Sequence, residues 1–153
     1  MTTNLGMRML RGIRWLALLP LLVMGGLCHA DDKPYTEGTV WSVTLIKVKP
    51  GMLDVYLRDV LPMRKKIDEA ARSAGLLLSS HILSGSASNK DDWDLILMDE
   101  YKNFAALDGL SAKYDAIMNK VVGNESQRLQ TMIKRTEVRD IVGDKLMQEL
   151  VAK

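Results

Sequence analysis

The segment Ser79-Ser80-His81 is where side-chain chemistry concentrates in this chain. An imidazole at position 81 can act as a general base, as a donor that orients a ligand, or as a lone metal ligand. A second segment, Trp93-Asp94-Leu95-Ile96-Leu97-Met98-Asp99-Glu100-Tyr101, sets an acid among apolar residues. If the two segments pair as antiparallel strands, Asp99 is expected to meet His81 across the ladder and fix its tautomer. Tyr101 would then stand close by. His81, Asp99 and Tyr101 are the candidate catalytic set, able to take a proton from an acidic carbon or a phenol. The competing reading is structural: a histidine satisfied by a neighbouring strand, and an acid closing a strand end.

Trp41, Tyr56, His81 and Trp93, with Tyr101 beside them, form a candidate ligand-binding set for a flat apolar or aromatic molecule. The same aromatics at strand and helix spacing would also serve as core or as a seam between subunits. Other chemistries find little support. Asp91, Asp92 and Asp94 are adjacent acids without the spacing of a calcium loop and read as solvated. Gly85 and Gly109 make no phosphate loop, and Ser79, Ser80 and Ser84 lie in no Gly-x-Ser-x-Gly elbow. No metal and no cofactor is expected.

Residues 1–30 narrow the chemistry further. Arg8, Arg11 and Arg14 precede an apolar run from Trp15 to Met24 and a small-residue exit at Gly25-Gly26-Leu27-Cys28-His29-Ala30. Those are the parts of a secretory signal peptide, so a periplasmic or secreted location is expected. The apolar run falls short of the roughly 20 residues a membrane-spanning helix needs, so no stable membrane association is expected after cleavage. Cleavage after Ala30 removes the single cysteine and one of the two histidines, and takes the formal net charge from +2 to −1. Without a thiol there is no disulfide, no thiolate nucleophile and no zinc–cysteine site. A near-neutral surface offers no footprint for nucleic acid.

Residues 31–38 are polar, carry Pro34 and Gly38, and read as a flexible leader to one domain over 39–153. Alternation over Thr39–Val48 predicts a strand, stopped by Pro50-Gly51. Apolar spacing predicts a helix over Leu53–Ala74, kinked or split near Asp59–Leu61 by Pro62 and ended by Gly75. Its charged residues Arg58, Arg64, Lys65, Lys66, Asp68 and Glu69 read as a solvated face. Strands are expected at Leu76–Leu83 and Trp93–Tyr101, joined by a polar loop. A helix capped by Asn103 should run to Val122 and break at Gly123-Asn124. Another is expected over Glu125–Val142, with Leu129, Met132, Ile133 and Ile141 apolar and Gly143 ending it. A short last strand follows over Lys145–Ala152.

The order β-α-β-β-α-(α)-β predicts an α+β fold of ferredoxin-like type, a four-stranded antiparallel sheet with its helices on one face. Strands that are apolar on both faces cannot leave one of them in water, so a homodimer closing two sheets face to face is expected. Val48-Lys49-Pro50-Gly51, the stretch from Gly75 to Ser84-Gly85, and Asp92-Trp93-Asp94-Leu95 running into Glu100-Tyr101-Lys102-Asn103 resemble the dimeric α+β barrel superfamily. Within it the likeness is to the antibiotic-biosynthesis-monooxygenase-like and NIPSNAP-like groups. The resemblance implies a ligand place between sheet and helices. It also implies possible kinds of activity, among them cofactor-free oxygenation, isomerisation and haem degradation. Haem-degrading members use a helix-borne histidine, whereas His81 is expected on a strand. The leading expectation is an exported binder of a small apolar or aromatic molecule. The alternatives are a cofactor-independent monooxygenase or isomerase using His81, and a structural or protein-interaction module.

Overall fold

The computed structural model describes residues 33–153. The signal segment expected over 1–30 lies outside the described residues. Four strands build one antiparallel sheet: β1 (Tyr35–Val48), β2 (Ser79–Ser84), β3 (Leu95–Tyr101) and β4 (Arg139–Ala152), ordered β2-β3-β1-β4. With helices between β1 and β2 and between β3 and β4, the chain has the α+β, ferredoxin-like arrangement expected from its sequence. Strand alternation assigns the two faces. Val40, Ile46 and Val48 of β1, with Leu95, Leu97 and Tyr101 of β3, are buried. They pack against helical residues such as Ile67, Ala71, Ile117 and Tyr56. Trp41, Val43 and Leu45 alternate to the other face, where they pair with Glu100, Met98 and Ile96.

The first helical stretch is split where the sequence predicts. A short α1 (Leu53–Val55) passes through a π-turn (Tyr56–Val60) into α2 (Leu61–Ser73), whose first turn contains Pro62. Proline has no N–H to give, and its ring crowds the carbonyl four residues back. The wider π-turn absorbs that misfit without ending the helix. Gly75 then stops α2 at φ 70°. Its N–H reaches the Arg72 carbonyl at 2.9 Å and that of Leu76 reaches Ala71 at 3.0 Å, a Schellman closure.

The chain departs from expectation at three places. Asn103 caps a 3-10 turn (Phe104–Leu107), and α3 (Leu110–Val121) begins only after Gly109. The helix expected to reach Val142 is α4 (Glu125–Val138), and the chain passes straight into β4. Gly143, expected to end a helix, lies within β4 opposite Leu45. A Cβ there would stand 3.3 Å from Leu45 Cδ1, so the glycine allows close approach. The third departure is at the start. Residues 35–38, assigned by sequence to a flexible leader, are strand, because Ala152, Val151 and Leu150 of the long β4 offer them a ladder.

The face α4 turns inward also differs from the apolar stripe in its sequence. Leu129, Met132, Ile133 and, beyond the helix, Ile141 are exposed. Val138 is its buried residue, and Arg128, Thr131 and Arg135 are half-buried with it at helical spacing. The N-terminus of α4 is held by a capping box in which the Asn124 side chain accepts from Gln127 N–H at 3.0 Å and the Gln127 side chain accepts from Asn124 N–H at 2.9 Å. Replacing Asn124 with alanine is expected to cost about 1 kcal/mol. Thermal melts should show this as a fall of about 4 °C. An unchanged melting temperature would mean the box does not hold α4.

Candidate functional site

The buried core is divided. One cluster gathers Val40, Ile67, Ala71, Leu77, Tyr101 and Ile117. The other gathers Ile46, Val48, Tyr56, Leu95, Leu97 and Val138. Between them the helix-facing row of the sheet turns polar, because Asp99 pairs with Ser42 on one side and Ser80 on the other. Helix α2 meets this row with Arg64. Its Nη2 donates to Asp99 Oδ1 in a short contact and to Ser80 Oγ at 3.2 Å, while Nε donates to Asp68 Oδ2 at 3.1 Å. Ser80 Oγ in turn donates to Asp68 Oδ2 at 2.8 Å. The Arg64, Asp68 and Asp99 side chains are only 19%, 14% and 21% exposed. A charge cluster this sheltered is worth having only if its members satisfy one another, and here they do.

Two tyrosines extend the polar layer. Tyr101 of β3 and Tyr114 of α3 share a hydrogen bond, and burial pushes both phenols above their ordinary pKa, so they stay protonated. On the other side stand Tyr56 and two arginines. Arg139 Nη1 donates to the Tyr56 hydroxyl at 3.2 Å, with the guanidinium 5.6 Å from the ring centroid. Burial, and after it the charge of Arg139, holds the Arg135 pKa below its ordinary value, and Arg135 lines a groove between helices. That groove, about 470 Å³, runs between the π-turn and α4 and is lined by Val55, Val60, Met63 and Val138 with Asp59, Thr131, Lys134, Arg135 and Glu137. A second groove of about 440 Å³ opens at the β2 edge, between Leu61, Pro62, Lys65 and Arg72 of α2 and Ile82, with Asp68 and Ser80 at its polar end.

The structure distributes the sequence-predicted site residues over both faces of the sheet. His81 pairs with Met98, and Asp99 pairs with Ser80. Neighbours along a strand point to opposite faces, so His81 and Asp99 are not brought together, and the expected Asp–His pair is absent from the single chain. Asp99 and Tyr101 do share the helix-facing row. His81 is exposed and lies beside Trp41 on the open face, ring centroids 6.0 Å apart. Tyr56, by contrast, is fully buried between sheet and helices. Trp93 precedes β3 and is half-buried. The four aromatics proposed to line one ligand site are thus divided, Trp41 with His81 on one face and Tyr56 on the other.

Arg64 and Asp68 do not belong to the solvated helix face expected from the sequence, being only 19% and 14% exposed. They lie at i, i+4, and with Ile67 and Ala71 they complete an i, i+3, i+4, i+7 set on the inward side. That spacing was the available signal. Arg135 left none, since the apolar residues of its helix pointed to a different inward face.

No family model matches the chain, and no curated protein does. Among solved structures it is similar to HapK from Hahella chejuensis, with 11% identity over 74% of this chain and 95% of that one and a TM-score of 0.40. It is likewise similar to a dimeric protein of unknown function and ferredoxin-like fold from Bacteroides fragilis. That match has 12% identity over 78% of this chain and 100% of that one, with a TM-score of 0.40.

Burial is the largest influence on Asp68 and raises its carboxyl pKa against the lowering pull of Arg64 and Ser80. Between the unfolded value near ~3.9 and its raised folded value, the native state therefore holds the extra proton. Stability from this group falls as pH rises through that window and stays lower above it. Asp68→Asn has no such fall. Wild-type stability relative to Asp68→Asn should thus decline from about pH 3.5 toward neutrality. Parallel melting curves across that range would check it, and a pH-independent difference would sink the assignment.

Proposed function

We propose that the protein is an exported homodimer that binds a small, largely apolar or aromatic molecule in the cleft between its π-turn and α4. The observation that carries this reading is the groove of about 470 Å³ there. Val55, Val60, Met63 and Val138 share its lining with five polar residues, and its size is that of small-molecule sites. The π-turn forms one wall, and such turns recur where a helix has been adapted to a site. Placement within the antibiotic-biosynthesis-monooxygenase-like or NIPSNAP-like branch of dimeric α+β barrels belongs to the same reading. It rests on the turn and strand motifs around Pro50-Gly51 and Trp93. Export rests on the arginine-led apolar segment over 8–30. An enzyme built on His81 is the weaker alternative, since that imidazole has Trp41 beside it and, among the described residues, no carboxylate within ion-pair distance.

The homodimer follows from the open sheet face. Trp41, Val43, Met98 and Met147 border a shallow groove of about 220 Å³ on it, with Gln148 and Glu149 at its edge. Strands β1 and β4 are 14 residues long, β2 is 6 and β3 is 7. At roughly 3.3 Å per residue and about 4.8 Å between strands, the face covers on the order of 600 Å². Two such faces together reach roughly the 1,200 Å² at which stable interfaces begin. A second copy supplies the matching apolar area by symmetry.

Two measurements bear on these readings. Val43→Asp places a charge at the centre of the open face. Light scattering should find the variant at monomer mass with its circular dichroism unchanged, and wild type already running as a monomer would dispose of the dimer. Val60→Trp fills the cleft. Fluorescence titration with the neutral probe 1-aminoanthracene should show binding weakened about tenfold or more in that variant, equivalent to about 1.4 kcal/mol. Equal binding by wild type and Val60→Trp would place the ligand elsewhere.

A further inference from the structure

We infer that the cleft selects ligands carrying a carboxylate, held by the Arg135 guanidinium in the groove between the π-turn and α4. The inference deepens the binding function proposed above and rests on it. Arg135 is half-buried, and among the described residues its side chain has no hydrogen-bond acceptor and no ion-pair partner. Other inward-facing arginines have side-chain partners: Arg64 has Asp68, Asp99 and Ser80, Arg128 has Asp115 at 2.8 Å through Nη1 while its buried Nε has no acceptor, and Arg139 has the Tyr56 hydroxyl. The Arg135 nitrogens keep contact with solvent and so remain open to a ligand, and the five donors of a guanidinium match a carboxylate in bidentate fashion.

The surroundings favour an anion as well. Burial and the neighbouring charge of Arg139 both act against the protonated form of Arg135. Arg139 cannot relieve that repulsion, being of the same sign and already committed to a neutral hydroxyl. Lys134 adds a further positive charge to the lining. The carboxylates at the groove do not supply what is missing. Asp59 is bonded to Arg58 at 3.0 Å in open solvent, and Glu137 is exposed. The apolar walls Val55, Val60, Met63 and Val138 then fit the carbon body attached to the carboxylate. Charge and wall chemistry together specify an amphipathic acid, with an aryl or short alkyl group behind its anionic end.

The test is a methyl-detected NMR titration of the whole protein with 4-phenylbutyrate and, separately, with its neutral amide. Wild type should bind the carboxylate about tenfold tighter than the amide or better, with shifts at the Val60, Met63 and Val138 methyls. In Arg135→Gln that preference should vanish while the amide still binds. In Arg135→Lys it should be partly kept. Equal affinity for acid and amide in wild type would overturn the carboxylate inference and leave the cleft reading intact. An acid preference that survives in Arg135→Gln would also overturn it. Failure of both compounds to shift the cleft methyls would overturn the cleft reading along with the inference. Arg135→Met in the ligand-free protein should raise the melting temperature, which a guanidinium acting as a structural tie would not do.

Discussion

Arg64 joins two layers that would otherwise meet across an uncompensated polar row. The sheet presents Ser80, Asp99 and Ser42 to the helices midway along its length, and one guanidinium on α2 answers two carboxylates and a hydroxyl there. Apolar packing alone would let α2 slide or roll over the sheet, since dispersion contacts are weakly directional. A sheltered charge cluster is directional, and leaving either partly buried carboxylate unanswered is unfavourable. The register of α2 on the sheet therefore hangs on this contact. The position of the π-turn, one helical turn upstream, hangs on it too, and with it one wall of the cleft.

Much of the fold was legible because its signals are local. Alternation marked β1 and β3, Pro62 marked the disturbance that became a π-turn, and Gly75 and Asn124 marked helix ends. What escaped was set by tertiary partners. Ile141, Val142 and Gly143 fit a helix end as well as a strand, and only pairing with Ile46 and Leu45 decides between them. Tyr35, Thr36 and Glu37 read as a polar leader until the end of β4 is laid beside them. The candidate site was lost through parity. Placing His81 opposite Asp99 rather than Met98 is a one-residue error, and a one-residue slip exchanges the two faces of a strand. Arg64 and Asp68 fit a solvated face equally well by sequence, because a charged residue on an amphipathic helix looks the same whether it meets water or a sheltered carboxylate.

The one-sided covering of the sheet organises the remaining features. Helices occupy one face and pack on two apolar clusters with the polar layer between them. The other face keeps Trp41, Val43, Ile96 and Met98 together with His81. The residues whose types suggest one chemical task are in this way divided between the two faces. Trp41 and His81 belong to the face a second subunit would cover, whereas Asp99, Tyr101 and Tyr56 belong to the interior. Turning Leu129, Met132 and Ile133 outward on α4 has a similar logic, since it frees the inward face for Arg128, Arg135 and Val138.

The pairing of β1 with β4 bears on how the chain acquires its shape over time. Tyr35 lies against Ala152 and Val48 against Arg139, so the inner strand formed first from the N-terminal side waits for almost the last residue described. Contacts between residues so distant along the chain are slow to form, because the intervening loop must be closed before any of them is gained. Until then β1 has an unsatisfied edge and the helices have only part of a platform. The domain consequently completes its sheet only once residues 139–152 have returned to β1, and a chain without that strand keeps one edge of β1 unpaired.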